Sequence, residues 1–149
     1  MNRAEQAASY FNDGYNCAQA VAMAFSDLTG MDEKTTARLI SGFGGGIGRM
    51  REVCGAVTGM VFVLSQLYGY DSPNLEVQQQ LYAAIQDLSG QFQNRTGSII
   101  CRDILKNPPS DPAPSPRTAE YYANRPCARM VYTAANILEE YIAAHPISI

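Results

Sequence analysis

Hydrophobic residues recur every three or four positions along most of the chain, with polar residues between them. This spacing places apolar side chains on one face of a helix, and it favours amphipathic α-helices over strands. The strict alternation of apolar and polar residues that is typical of half-buried strands is absent, whereas Ala, Leu, Gln, Glu and Met are plentiful. The pattern therefore predicts an all-α fold.

Helix caps and glycines divide this pattern into about six or seven helices. Asn16, Asp32 and Ser98 are typical N-cap residues, and Gly14 and Gly30 are typical of the position after a helix. The expected helices cover residues 3–12, 17–30, 33–41, 50–68, 75–94 and 99–106, and a last helix begins at residue 124 or 126 and ends at 144. Because the connections between them are short, we expect a helical bundle that forms a single domain over residues 1–149.

A proline-rich segment interrupts the helical pattern before the last helix. Residues 107–118 read NPPSDPAPSPRT and hold five prolines. Proline removes a backbone donor and clashes with the preceding turn, so this segment cannot be helical. We expect an extended loop on the surface of the bundle.

Charge and hydropathy argue against two kinds of partner. A net charge of −3, without a basic stripe, is not typical of a nucleic-acid-binding protein. Residues 53–70 carry no charge, but their three glycines and several hydroxyl and amide side chains favour a buried core helix over a membrane span. Residues 1–14 contain charges and no apolar run typical of a signal peptide, so we expect a cytoplasmic location.

Four cysteines are the residues with the clearest chemical meaning: Cys17, Cys54, Cys101 and Cys127. Structural disulfides are not expected in a reducing compartment, which leaves redox chemistry, metal binding or packing. Successive cysteines are 37, 47 and 26 residues apart. A Cys-x-x-Cys pair is absent, so the sequence has neither a zinc-ribbon nor a thioredoxin-type motif.

Each cysteine falls in or near the first turn of an expected helix. The first turn carries unpaired N–H groups and the positive end of the helix dipole, and both lower the pKa of a thiol. Arg49 and Arg51 lie just before Cys54 and add positive charge beside it. Cys54 is therefore the thiol that we expect to be ionised.

Helix direction predicts that the four thiols lie together. Helices joined by short turns alternate in direction, so the second, fourth and sixth helices begin at the same end of the bundle. Their first turns hold Cys17, Cys54 and Cys101. The proline-rich loop is long enough to bring the last helix, with Cys127, back to that end.

Glycines concentrate just before and just after Cys54. The run from Gly42 to Gly48 lacks the preceding strand, the lysine and the G-x-G-x-x-G spacing of phosphate-binding loops. A helix end followed by a tight reversal is the favoured interpretation, and an anion bound by the N–H groups is the alternative. Gly55 and Gly59 lie one helical turn apart, which indicates either room needed beside Cys54 or close packing of two helices.

The cysteine order and the glycine motif together resemble the C_GCAxxG_C_C family of redox-active proteins. The segments YNCAQAV and GFGGGIGRMREVCGAVTG carry the resemblance, which extends from about Tyr15 to Glu140. The resemblance implies a small family of bacteria and archaea, often linked to transporter genes, and therefore a transporter-associated protein partner; it implies no particular reaction. The residues that the resemblance transfers are the cysteines Cys17, Cys54, Cys101 and Cys127 and the motif residues Gly55, Ala56 and Gly59.

Three functions fit these observations. In the favoured one, two cysteines cycle between dithiol and disulfide, with Cys54 as the attacking thiolate of a thiol–disulfide oxidoreductase. In the second, all four cysteines bind zinc or an iron–sulfur cluster. In the third, the cysteines only pack inside a structural or adaptor bundle. His145 is the only histidine, so hydrolysis by Ser/His/Asp or Cys/His groups lacks a base.

Overall fold

The computed structural model describes residues 1–147. Within them the chain forms nine α-helices and a 3-10 turn at Ser41–Phe43. The helices are α1 (Arg3–Asn12), α2 (Cys17–Met23), α3 (Ser26–Thr29), α4 (Glu33–Ile40), α5 (Gly55–Tyr68), α6 (Leu75–Thr96), α7 (Cys101–Ile104), α8 (Ala119–Asn124) and α9 (Cys127–Ala144). The only β-type pairing in these residues is an isolated bridge between Val53 and Ile100. The predicted all-α fold is therefore confirmed.

The core forms where α5 and α9 meet the other long helices. Helix α9 packs against α1, α2, α5 and α6, and α5 packs against α2 and α6. Their apolar faces supply fully buried side chains, which include Phe11, Met60, Leu64, Phe92 and Leu138. Burial of these faces removes a large apolar area from water, which is the main force that holds the helices together.

The uncharged stretch at residues 53–70 forms a core helix, as predicted. It contains α5, which is 14 residues long and largely buried. Among the residues that the structure describes, no helix combines the length and apolarity that crossing a membrane requires.

One expected helix is divided in two by a tertiary contact. Residues 17–30 form α2 and α3, with a break at Ala24 and Phe25. The Arg3 guanidinium donates to the carbonyl oxygen of Ala24 at 2.9 Å and lies 5.1 Å from the centre of the Phe25 ring. A distant arginine therefore binds a carbonyl at the end of α2, which local periodicity does not reveal.

Two other expected helices are shorter because their first residues pair with each other. The N–H of Cys54 donates to Ile99 at 2.7 Å, and the N–H of Cys101 donates to Glu52 at 2.7 Å. The predicted starts at residues 50 and 99 are therefore wrong: α5 begins at Gly55 and α7 at Cys101. In addition, α8 forms after the N-cap Thr118, where the sequence pattern predicted no helix.

Candidate functional site

The four cysteines line a single cavity of about 320 Å³. Cys17, Cys101 and Cys127 are the first residues of α2, α7 and α9, and Cys54 is the N-cap of α5. Both structural predictions for the thiols are thus confirmed: they lie at helix starts, and four helices begin at the same cavity. All four are free thiols.

Asn16 fixes the position of Cys17. Its side chain accepts a hydrogen bond from the N–H of Gln19 at 2.9 Å, and the Gln19 side chain accepts one from the N–H of Asn16 at 3.0 Å. This capping box defines the start of α2. The Asn16 amide also donates to Ser41 at 3.0 Å, which ties Cys17 to the segment that precedes the glycines.

The glycine loop, residues 44–49, makes a tight reversal in left-handed conformation. Five consecutive residues, 45–49, have positive φ angles, including Ile47 at 65°, a conformation that β-branched residues rarely adopt. The N–H groups of the six residues 47–52 all donate to carbonyls of residues 42–47. These six donors are therefore engaged inside the loop, and the predicted tight reversal is confirmed.

Gly46 lets the glycine loop contact Cys101 closely. A Cβ atom at Gly46 would lie 2.7 Å from the Cβ of Cys101 and 2.6 Å from the backbone nitrogen of Glu52. Since real Cβ contacts are longer than this, only glycine fits there without displacement of the backbone. The loop thereby forms one wall of the cavity directly beside the third thiol.

Gly55 and Gly59 bring α5 against α2. A Cβ at Gly55 would lie 3.1 Å from the Cβ of Cys17, and one at Gly59 would lie 2.9 Å from the Cβ of Val21. The predicted close packing of two helices is confirmed, and it sets Cys17 beside the start of α5. Ala56, the remaining motif residue, is fully buried.

Arg49 and Arg51 contact groups other than Cys54, although the sequence predicted that their positive charge lies beside its thiol. Arg51 is buried, and its Nη1 donates to the sulfur of Cys101 at 3.6 Å. Arg49 faces the proline-rich loop, where it pairs with the carboxylate of Asp111 at 3.0 Å. The expectation assumed that a helix begins near Met50, but residues 51–54 are not helical, so helical neighbours of Cys54 do not form there.

The sequence pattern gave no role to Arg117, which lines the cavity from the proline-rich loop. Its guanidinium donates to the carbonyl of Phe11 at 3.0 Å and to that of Tyr15 at 3.1 Å. It also lies 5.0 Å from the ring centre of Tyr121, and Arg125 lies 4.9 Å from the same ring. The carbonyls that Arg117 binds are 106 and 102 residues away in sequence, so no local signal indicates this position.

Cys127 is the thiol with the lowered pKa. The hydrogen bond from the Cys17 thiol lowers the pKa of Cys127 to about 7, and the charges of Arg125 and Arg117 act in the same direction against the effect of burial. The same hydrogen bond, together with burial, raises the pKa of Cys17 well above its ordinary value. The two thiols thus form an unequal pair, in which Cys127 loses its proton at a lower pH than Cys17.

Burial keeps the other two thiols neutral. Desolvation raises the pKa of Cys54 to about 12, although the N–H groups of Ala56 and Val57 act in the opposite direction. Desolvation also raises the pKa of Cys101, and the guanidinium of Arg51 only partly offsets it. The expectation that Cys54 is the ionised thiol is therefore corrected: in a buried position, loss of hydration outweighs the helix N-terminus.

The alternative interpretation of the four cysteines is a metal site. Over residues 1–147, no three His, Cys, Asp or Glu side chains are grouped as the ligands of a metal ion would be. Structural zinc and iron–sulfur clusters require about four such ligands around one centre. The predicted zinc or iron–sulfur site at the four cysteines therefore stays a prediction.

Comparison with known proteins agrees with this four-cysteine arrangement. No curated protein and no solved structure matches the chain significantly. The family model described as "Putative redox-active protein (C_GCAxxG_C_C)" matches residues 15–141, a range that includes all four cysteines and the glycine loop. The chain therefore belongs to the C_GCAxxG_C_C family.

Proposed function

We propose that the protein is a thiol–disulfide oxidoreductase whose reactive pair is Cys127 and Cys17. The observation that carries this proposal is that both thiols line one cavity, where each is the main influence on the pKa of the other. A thiol that shares its proton with a neighbour stabilises that neighbour as a thiolate, and a second thiol in the same cavity can act as the resolving thiol.

The reaction takes place in two displacements. First, the Cys127 thiolate attacks one sulfur of a substrate disulfide, and the other sulfur leaves as a thiolate that accepts the proton of Cys17. The Cys17 thiolate then attacks the sulfur of Cys127 and expels the rest of the substrate as a second thiolate. Two electrons thus pass from the dithiol to the substrate, and the protein retains a Cys17–Cys127 disulfide.

Cys54 and Cys101 line the same cavity but are protonated, unlike Cys127. Burial holds both as neutral thiols, so they do not compete with Cys127 for the first attack. Arg51, which contacts Cys101, also helps to lower the pKa of Cys127. A cytoplasmic location, where thiols are reduced again after each turnover, belongs to the same proposal.

Alkylation as a function of pH tests the assignment. The reduced protein is treated briefly with iodoacetamide over a range of pH, and the modified cysteines are identified by peptide mass spectrometry. We expect Cys127 to react first, with a midpoint near pH 7, and mild oxidation to produce the Cys17–Cys127 disulfide. Cys127→Ser should abolish both results.

Cys54→Ser is the matched control, since it removes a thiol of the same cavity. It should leave the Cys127 midpoint and the Cys17–Cys127 disulfide unchanged. If Cys54 reacts first in the native protein, or if oxidation joins Cys54 to Cys101 instead, the proposed pair is wrong.

A further inference from the structure

Positive charge in the cavity exceeds the negative charge that the protein supplies. The arginines that line it are Arg49, Arg51, Arg117 and Arg125. No Asp or Glu of the described residues lines the cavity, and only Arg49 pairs with a carboxylate, that of Asp111. Within residues 1–147 the other three guanidinium groups form no ion pair with an acidic side chain. Three positive charges therefore face the one thiolate proposed at Cys127.

These charges lie where water screens them poorly. Arg51 is only 5% exposed, and Arg117 and Arg125 are half-buried. Arg51 donates to the carbonyl of Pro109 at 2.9 Å, and Arg117 donates to carbonyls as well. A carbonyl orients a guanidinium but does not neutralise it, so an anion that enters the cavity meets strong attraction.

The size of the cavity and the burial of the thiols favour a small molecule. Its volume of about 320 Å³ is at the lower end of the range for small-molecule sites. Cys54, Cys101 and Cys127 are at most 8% exposed. A disulfide on another protein must bring its sulfur in line with Cys127, and this burial prevents such an approach. A free disulfide can enter the cavity and contact its apolar wall, which includes Phe11, Tyr121 and Met130.

Building on the oxidoreductase function above, we propose that the substrate is a small organic disulfide with anionic groups such as carboxylates. Arg51, Arg117 and Arg125 hold these groups while one substrate sulfur meets Cys127. The sulfur of Cys127 bonds to that sulfur, the substrate S–S bond breaks, and the departing half carries away the electron pair as a thiolate. Cys17 gives its proton to that thiolate and then displaces the bound half, so the substrate leaves as two reduced molecules.

Three disulfides of similar size and different charge test this proposal. They are 3,3′-dithiodipropionate, which is a dianion, the neutral bis(2-hydroxyethyl) disulfide, and the dication cystamine. Reduced protein is mixed with an excess of each, and formation of the Cys17–Cys127 disulfide, which completes the reaction, is followed by mass spectrometry. Each rate is divided by that of N-acetylcysteine amide with the same disulfide, which removes differences in intrinsic reactivity. We expect the dianion to exceed the neutral compound about tenfold, and cystamine to be the slowest.

Charge variants show whether the arginines of the cavity cause this preference. Arg117→Gln and Arg125→Gln should each reduce the preference for the dianion several-fold, and added salt should reduce it in the native protein. Arg38→Gln is the matched control, because it removes the same charge from an exposed position of α4. It should leave the preference unchanged.

The possible outcomes separate this inference from the function on which it rests. Equal normalised rates for the three disulfides would overturn the anionic substrate and leave the reactive pair intact. Faster reduction of the disulfides of insulin than of dithiodipropionate would overturn it in favour of a protein substrate. If no disulfide modifies Cys127 in protein that is folded by circular dichroism, the proposed oxidoreductase function fails as well.

Discussion

Cys127 and Cys54 both lie at a helix start, yet their thiols differ in ionisation. Cys127 receives a hydrogen bond from Cys17 and the field of three arginines. Cys54 has no such partner, and desolvation is the largest effect on its pKa. The helix N-terminus is common to both residues, so the difference comes from the neighbours that the fold brings to each sulfur.

Replacement of Cys17 should raise the pKa of Cys127. A hydrogen bond to a charged group contributes about 1.5–3 kcal/mol, which corresponds to about one to two pH units. We therefore expect Cys17→Ala to shift the alkylation midpoint of Cys127 from about 7 upwards by that amount. Cys17→Ser keeps a donor of similar size and should shift it less. Equal midpoints in the native protein and Cys17→Ala would contradict the role of this hydrogen bond.

The buried thiol of Cys54 should make stability fall at alkaline pH. The pKa of Cys54 is about 12 in the folded protein, against an ordinary value of 9.0. Above pH 9 the unfolded chain loses this proton while the folded chain keeps it, so the free energy of unfolding decreases. The stabilisation is fully present below pH 9 and is lost as the pH approaches 12.

The comparison of native protein with Cys54→Ser isolates this contribution. Above pH 9, the native protein should lose about 1.4 kcal/mol more per pH unit than the variant. Urea unfolding at several pH values between roughly 8 and 10.5 measures the two slopes. Other titrating groups, including Cys17 and Cys101, are present in both proteins and cancel in the difference. Parallel slopes would show that Cys54 already ionises in the folded state.

At the scale of the helices, the sequence predicts a helix correctly where residues close in sequence determine its bounds. The first helix, which is α1, matches its expected bounds at residues 3–12, because the Asn2 side chain caps it locally. The starts of α5 and α7 depend on the pairing of Val53 with Ile100, 47 residues away in sequence. Hydrophobic periodicity does not detect such pairings, so the sequence pattern predicted that both helices begin earlier than they do.

Close packing of α5 on α2 should make Gly59 sensitive to substitution. In Gly59→Ala the new methyl group would lie 2.9 Å from the Cβ of the buried Val21, so one helix must shift. Overpacking typically costs about 1–3 kcal/mol, which offsets the gain of about 1 kcal/mol that alanine brings to a helix. We expect a net loss of stability in urea unfolding at neutral pH.

Gly90 on α6 provides the matched control for this substitution. It is an exposed glycine within a helix, and a Cβ there would meet no atom within 4 Å. Gly90→Ala should therefore stabilise the protein by about 0.5–1 kcal/mol. Equal stabilisation by Gly59→Ala and Gly90→Ala would show that α5 and α2 are not closely packed at Gly59. Close packing would then not explain the position of Cys17 beside the start of α5.

At the scale of the whole molecule, the cavity joins segments that are far apart in the chain. Sequence patterns placed the four thiols at helix starts and at one end of the bundle, because cap residues and helix direction are local or topological properties. They did not indicate that the proline-rich loop forms a wall of the cavity. Arg51 and Arg117 hold this wall by hydrogen bonds to backbone carbonyls. Because every residue has a backbone carbonyl, no residue pattern in the sequence indicates these two contacts.

The proline-rich loop is also held over the cavity by the ion pair of Arg49 with Asp111, at 3.0 Å. Asp111 is exposed, and exposed ion pairs contribute little to global stability. Loss of this pair should therefore leave the fold intact and let the loop open more often. We expect Asp111→Asn to accelerate alkylation of Cys127 and Cys101 by roughly two- to fivefold at fixed pH. Time-resolved alkylation with peptide mass spectrometry measures these rates.

A control must separate opening of the loop from a change in net charge. Asp71 is exposed in the connection before α6 and forms no ion pair with another described residue, so Asp71→Asn makes the same charge change far from Arg49 in the sequence. It should not alter the alkylation rates. Ser115, which also accepts from Arg49 at 3.0 Å, offers a second test, since Ser115→Ala should act in the same direction as Asp111→Asn. Unchanged rates in both loop variants would mean that substrate reaches the thiols without movement of this loop.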